Sequence, residues 1–219
     1  MFLVENKMII LINFKNYKKG KEVLNLAKKI KRILGRAIVA VPTSEIKEIS
    51  RKTSLEVYAQ HIDFHSGNKN TGYVLPELIK LDGAKGTLIN HSEHKLSINE
   101  IKKCVLRCKN LGLRSIVFAG SKSEYRKIMS FRPNAIAYED EKLISSGKSI
   151  TKSEPDNIRE FTNSLKRTKI IPLCGAGIHS AEDCIEAKNL GCKGVVISSA
   201  IANSKNPEVL LKELKRVIK

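Results

Sequence analysis

The 219-residue sequence has no tryptophan, 5 tyrosines, 6 phenylalanines, and only 6 prolines and 13 glycines. So little proline and glycine, beside 42% hydrophobic and 28% charged residues, excludes a low-complexity or disordered chain and leaves a globular one. Long apolar runs are missing as well. The longest near the start, Met8–Ile12, is bracketed by charged residues and is too short for a membrane span, and the pattern of a signal peptide is absent. Cysteines are few and odd in number: Cys104, Cys108, Cys174, Cys184 and Cys192 lie in periodic or turn-like segments, which argues against a secreted disulfide framework. A soluble, cytoplasmic protein with reduced thiols is expected.

Acidic residues are scarce. The 22 Asp and Glu stand against 40 Lys and Arg, for a net charge of +18, which attracts phosphorylated metabolites, nucleic acid or an anionic membrane. The basic residues are spread along nearly every helical segment, as at Lys18, Lys19, Lys21, Lys28, Lys29, Lys31 and Arg32. That spread reads as solvated outer faces, and no nucleic-acid motif accompanies it. No specific nucleic-acid or membrane partner is expected.

What the sequence does hold is an eightfold alternation. Short apolar, β-branched runs recur at Met8–Ile12, Ala37–Val41, Glu56–Gln60, Gly86–Ile89, Arg114–Phe118, Ala135–Tyr138, Lys169–Leu173 and Gly194–Ile197. Amphipathic patterns separate them, the first through Val23, Leu26, Ala27, Ile30 and Leu34. The others run over Thr43–Lys52, Val74–Leu81, Ile98–Leu111, Ser123–Met129, Pro155–Leu165, Ala181–Leu190 and Pro207–Ile218. Gly35, Gly112 and Gly191 follow such runs and Ser180 precedes one, as caps should. Eight strand-then-helix units predict an α/β fold, a single (β/α)8 barrel over residues 1–219, with an open doubly wound sheet as the alternative.

Chemistry in such barrels gathers where strands end. Those positions hold Asn13-Phe14-Lys15, Asn90-His91-Ser92-Glu93, Tyr138-Glu139, Cys174-Gly175-Ala176-Gly177 and Ser198-Ser199. A lysine, a histidine and a glutamate at one mouth could bind a phosphorylated carbonyl compound and move a proton beside its carbonyl.

The same residues resemble the triosephosphate isomerase family, particularly its shorter archaeal-type branch, over nearly the whole chain. Asn13-Phe14-Lys15 is similar to that family's first-strand Asn-x-Lys, and Ala59-Gln60-His61 with Gly72 to Glu77 is similar to its third-strand stretch. Gly86 to Glu93 resembles its most diagnostic stretch, and Ala137-Tyr138-Glu139 its catalytic-glutamate strand end. The resemblance implies interconversion of dihydroxyacetone phosphate and D-glyceraldehyde 3-phosphate through an enediolate, in glycolysis and gluconeogenesis. Glu139 would be the base, a neutral His91 the electrophile, and Lys15 the cation beside the enediolate, with no metal or organic cofactor. Asn13 and Glu93 would position Lys15, Ser92-Glu93 would open a helix, and Ser145, Gly175, Ala176, Gly177, Ser198 and Ser199 would hold the phosphate. The branch further implies a homo-oligomer, a tetramer.

Three departures stand out. Ser198-Ser199-Ala200 replaces glycines, so a backbone needing positive φ would be strained there. Gly177 replaces a serine. The lid, Asp140 to Ser149, lacks the proline after the glutamate, carries Ser145 in place of a glycine and keeps Gly147; Asp140 and Glu141 are expected to face outward, since burying two carboxylates is costly. Competing readings are another sugar-phosphate isomerase, a metal-dependent hydrolase drawing on His61, Asp63, His65, His91 and His94, and a nucleic-acid-binding protein resting on charge alone.

Overall fold

The computed structural model describes residues 8–143 and 149–217. Eight parallel strands close into a barrel in chain order, with β8 paired to β1. The first half runs β1 (Ile9–Asn13), α1 (Lys21–Leu34), β2 (Ile38–Val41), α2 (Ile46–Lys52), β3 (Glu56–Ala59), α3 (Pro76–Leu81), β4 (Gly86–Ile89) and α4 (Ile98–Leu111). The second runs β5 (Arg114–Ala119), α5 (Lys122–Met129), β6 (Ala135–Tyr138), α6 (Ile150–Ser153), α7 (Pro155–Leu165), β7 (Ile171–Cys174), α8 (Ala181–Asn189), β8 (Gly194–Ile197), α9 (Ser199–Ala202) and α10 (Glu208–Val217).

Helix boundaries follow the caps. α1 buries Val23, Leu24, Leu26, Ala27, Ile30, Ile33 and Leu34 on one face and ends at Gly35, whose φ of 73° a side chain would resist. Ser97 opens α4 and Ser180 opens α8, each accepting from the backbone N–H three residues on while that residue's carboxylate returns the bond. The expected helix over 43–52 begins instead as a 3-10 turn at Thr43–Glu45. Two short helices, α6 and α9, were not foreseen, because four residues show no period.

Strand alternation fills two compartments. Inward go Leu11, Ile38, Ala40, Tyr58, Leu88, Ile116, Phe118, Ala135, Ala137, Ile171, Leu173 and Val196. The intervening residues, among them Ile10, Ile12, Val39, Val57, Val117 and Val195, pack against the helices. Tyr58 fills the lower barrel because Gly86 yields the space: a β-carbon there would lie 2.5 Å from the Tyr58 ring and 2.4 Å from the Arg114 carbonyl. Each fully buried aliphatic side chain contributes about 1.5–3 kcal/mol, so the two compartments together hold the strand ends in place.

Candidate active site

The period of two that packs the interior also builds its rim. One step past Leu11 stands Asn13, past Tyr58 stands Gln60, past Ala137 stands Glu139, past Leu173 stands Gly175 and past Val196 stands Ser198. A pocket at this mouth is lined by Asn13, Lys15, His91, Glu139, Ala176, Gly177, Ser198 and Ser199. The structure thus brings together most of the residues singled out from sequence. Ser145 and Gly147 lie outside the described residues.

Lys15 has a φ of 44°, a left-handed conformation that L side chains rarely adopt and that costs about 1–3 kcal/mol. Its backbone is pinned on both sides. The Lys15 N–H donates to Asn13 Oδ1 at 3.0 Å, and the Gln60 amide donates to the Lys15 carbonyl at 3.0 Å and to Asn13 Oδ1 at 3.3 Å. Lys15 Nζ then meets Glu93 Oε1 at 2.7 Å. With Glu93 largely exposed, that pair orients the lysine more than it stabilises the fold.

His91 follows Asn90, another residue with positive φ (61°). Asn90 Nδ2 donates to the Phe118 carbonyl and to Glu124 Oε1, and Asn90 Oδ1 accepts from the Leu96 N–H. This three-point anchorage fixes the backbone that aims the imidazole. The Glu93 N–H donates to His91 Nδ1 at 3.1 Å, so Nδ1 is unprotonated and the ring proton sits on Nε2. Burial, then the nearby Lys15 ammonium, pushes the His91 pKa down to about 4. The ring is therefore neutral at physiological pH. No helix opens at Ser92-Glu93, contrary to expectation: the chain makes a turn closed by His94 N–H to the His91 carbonyl, and α4 starts only at Ile98. Desolvation and the Lys15 ammonium hold the ring uncharged, and the single backbone amide of Glu93 fixes its tautomer.

Glu139 is 8% exposed. Its Oε1 accepts from the Ala176 N–H at 3.2 Å, and its Oε2 faces His91 Nε2 at 3.6 Å. Burial pushes the Glu139 pKa up to about 7, against the pull of Lys15 and the Ala176 amide. Asp140 and Glu141 engage partners elsewhere: Asp140 Oδ1 accepts from the Lys142 N–H and its carboxyl is hydrogen-bonded to Glu154, while Glu141 is exposed and pairs with Lys95 at 3.1 Å.

On the far wall Ala176 and Gly177 both take left-handed backbone, at φ of 65° and 67°. Because Ala176 gives its N–H to Glu139, it is committed to the acid and not free for an anion. The N–H groups of Gly177 and Ser199 have no hydrogen-bond partner among the described residues. The strain foreseen at Ser198-Ser199 does not arise: Ser198 has a φ of −131°, and its hydroxyl donates to the Asn13 carbonyl at 2.8 Å. Sequence reasoning missed Tyr17, Ile178 and His179, which also line the pocket; their position just beyond the Asn-x-Lys and Gly-Ala-Gly turns was the available signal. The histidines of the metal reading do something else. His61 stacks on His94 with centroids 3.9 Å apart and bonds to Asp63 at 3.3 Å.

Known proteins similar to this chain in sequence or in fold are triosephosphate isomerases. Residues 8–214 match the family described as triosephosphate isomerase. A triosephosphate isomerase from Sulfurisphaera tokodaii is 37% identical over 212 residues, covering 94% of this chain and 93% of its own. One from Methanocaldococcus jannaschii is 35% identical over 219 residues, covering 96% and 100%. The crystal structure of triosephosphate isomerase from Bartonella henselae superposes with a TM-score of 0.75 at 18% identity, over 96% of this chain and 98% of that one, which shows the shared barrel. On this agreement of sequence and fold, the chain belongs to the triosephosphate isomerase family.

Proposed function

We propose that the chain interconverts dihydroxyacetone phosphate and D-glyceraldehyde 3-phosphate, with Glu139 as the base and His91 as the electrophile. The observation that carries the reading is the meeting of Glu139 Oε2 and His91 Nε2 at 3.6 Å, one a buried carboxylate and the other a neutral N–H donor. Glu139 removes a proton from the carbon beside the carbonyl. The His91 Nε2–H polarises the carbonyl oxygen, and the same ring moves protons between the two oxygens of the enediolate. Lys15 stabilises the negative charge that develops. A pKa of about 7 suits Glu139 to both halves of the cycle, since the acid that accepts the proton must also return it.

The free N–H groups of Gly177 and Ser199 supply donors for the phosphate, with Gly175 as the close-packed floor and Ser198 bracing the first loop; Ser145 is assigned to the same end by family resemblance. Glu93 and Ser92 support Lys15 and His91. Proton transfer between adjacent carbons calls for no metal or organic cofactor. The family resemblance further supports a homotetramer, and exposed Leu78 and Leu106, each at 55%, offer apolar surface to a second copy. No helix among the described residues is long and apolar enough to cross a membrane, and we place the protein in the cytoplasm.

A coupled assay with each triose phosphate, run beside larger sugar phosphates, tests the reading. Turnover of both trioses and of none of the larger sugars is expected. Turnover of a larger sugar phosphate alone would overturn it.

A further inference from the structure

We propose that His179 is a phosphate-binding residue of this site, closing on the substrate's phosphate dianion as an imidazolium that takes its proton from solvent when the ligand binds. The inference rests on the triose phosphate reading and deepens it.

His179 lies between the Gly-Ala-Gly turn and α8, and it lines the same pocket as Lys15 and Ser199. It is held at both ends. Its backbone N–H donates to Asp183 Oδ2 at 3.0 Å, and its ring Nδ1 lies 2.5 Å from the Gly177 carbonyl oxygen. A carbonyl only accepts, so Nδ1 carries a proton in either charge state and the tautomer is determined. That leaves Nε2, which has no hydrogen-bond partner among the described residues. Gly177 thus does two things: its carbonyl orients the imidazole, and its own N–H stays available to an anion in the same pocket.

The charge state decides what Nε2 can do. A neutral ring presents a lone pair there, which repels a dianion, whereas an imidazolium presents a second N–H and a positive charge. Histidine is the side chain that makes this change between about pH 5 and 8. The charged and titratable groups of the pocket are Lys15 and Tyr17 from the β1 loop, His91 after β4 and Glu139 after β6; beside the His179 backbone stands Asp183 on α8, which pairs with Lys152 on α6 at 3.4 Å. An arriving dianion tips the balance toward protonation.

Calorimetric titration with inorganic phosphate at about pH 8, in two buffers of different ionisation enthalpy, measures both affinity and proton uptake. The wild type is expected to take up protons on binding. His179→Gln should lose the His179 share of that uptake and bind phosphate about tenfold more weakly. His179→Lys, whose charge is permanent, should keep the affinity and lose the same uptake. In turnover, His179→Gln should raise KM far more than it lowers kcat, with the penalty shrinking as pH rises. Equal phosphate affinity and equal proton uptake in the wild type and either variant would overturn the proposal. Should the protein fail to isomerise triose phosphates, the functional reading falls, while the phosphate titration still judges His179 on its own.

Discussion

A β-carbon on Gly175 would lie 2.8 Å from Oε1 of Glu139, so the last turn of β7 backbone and the acid at the end of β6 compete for one volume. Gly175→Ala is therefore expected to displace the carboxylate without breaking the barrel, because the intruded atom is the tip of a side chain. A misplacement of about 1 Å lowers turnover roughly 100-fold. Steady-state kinetics with a thermal melt check this. Full kcat would show that Glu139 does not act from this position.

The Glu139 pKa of about 7 and the His91 pKa of about 4 set the pH–rate profile. Glu139 must be ionised to accept a proton, so kcat/KM should fall as pH drops through about 7. His91 adds no second limb until about pH 4. Glu139→Asp, which withdraws the carboxylate by one methylene, should lower turnover by about two orders of magnitude or more while leaving phosphate affinity nearly intact. Full activity in that variant would remove Glu139 from the mechanism.

The same two groups act oppositely on stability. Glu139 rises from an ordinary 4.5 to about 7, so the folded state binds more protons than the unfolded one in that window, and stability falls as pH climbs through it. His91 drops from 6.5 to about 4, so the unfolded state binds more protons and stability rises between about pH 4 and 6.5. Each slope is on the order of 3 kcal/mol at most, and in the wild type they largely cancel. Urea unfolding across pH should show Glu139→Gln gaining stability from about pH 4 to 6.5, and His91→Asn losing it from about pH 4.5 to 7. Parallel curves for all three proteins would contradict the opposed titrations.

Gln60 holds the backbone of Lys15 and the side chain of Asn13 at once. Gln60→Leu should release the left-handed conformation at Lys15 and lower kcat/KM by roughly 10- to 100-fold. Lys15→Met should weaken substrate binding as well as turnover. Because both changes act on one ammonium group, the double variant should lose less than the two single losses combined. Additive losses would show that Gln60 acts independently of Lys15.

The barrel was legible because each strand is a compact β-branched run and each helix has one apolar face. Lys15, His91 and Glu139 were legible because they follow strands one, four and six directly. What sequence could not show were contacts between residues far apart in the chain. Nothing local reveals that Gln60 reaches Lys15, that the Ala176 amide is taken by Glu139, or that the Ser198 hydroxyl reaches Asn13. A neutral His91 was legible, but the helix expected to open at Ser92-Glu93 is a turn, because a turn and a helix start look alike there. His179 was passed over because a histidine opening a helix is ordinary until its ring is seen to face the pocket.

The barrel closes where its ends meet: β8 pairs with β1 from Ile9↔Gly194 to Ile12↔Ile197, and Ser198 ties itself to the Asn13 carbonyl. During synthesis the loop bearing Lys15 leaves the ribosome well before Ser198 and lacks its final brace until Ser198 follows. A chain arrested before β8 would hold all three reactive side chains and still be inert. Activity should thus appear abruptly, when the last strand seats against the first.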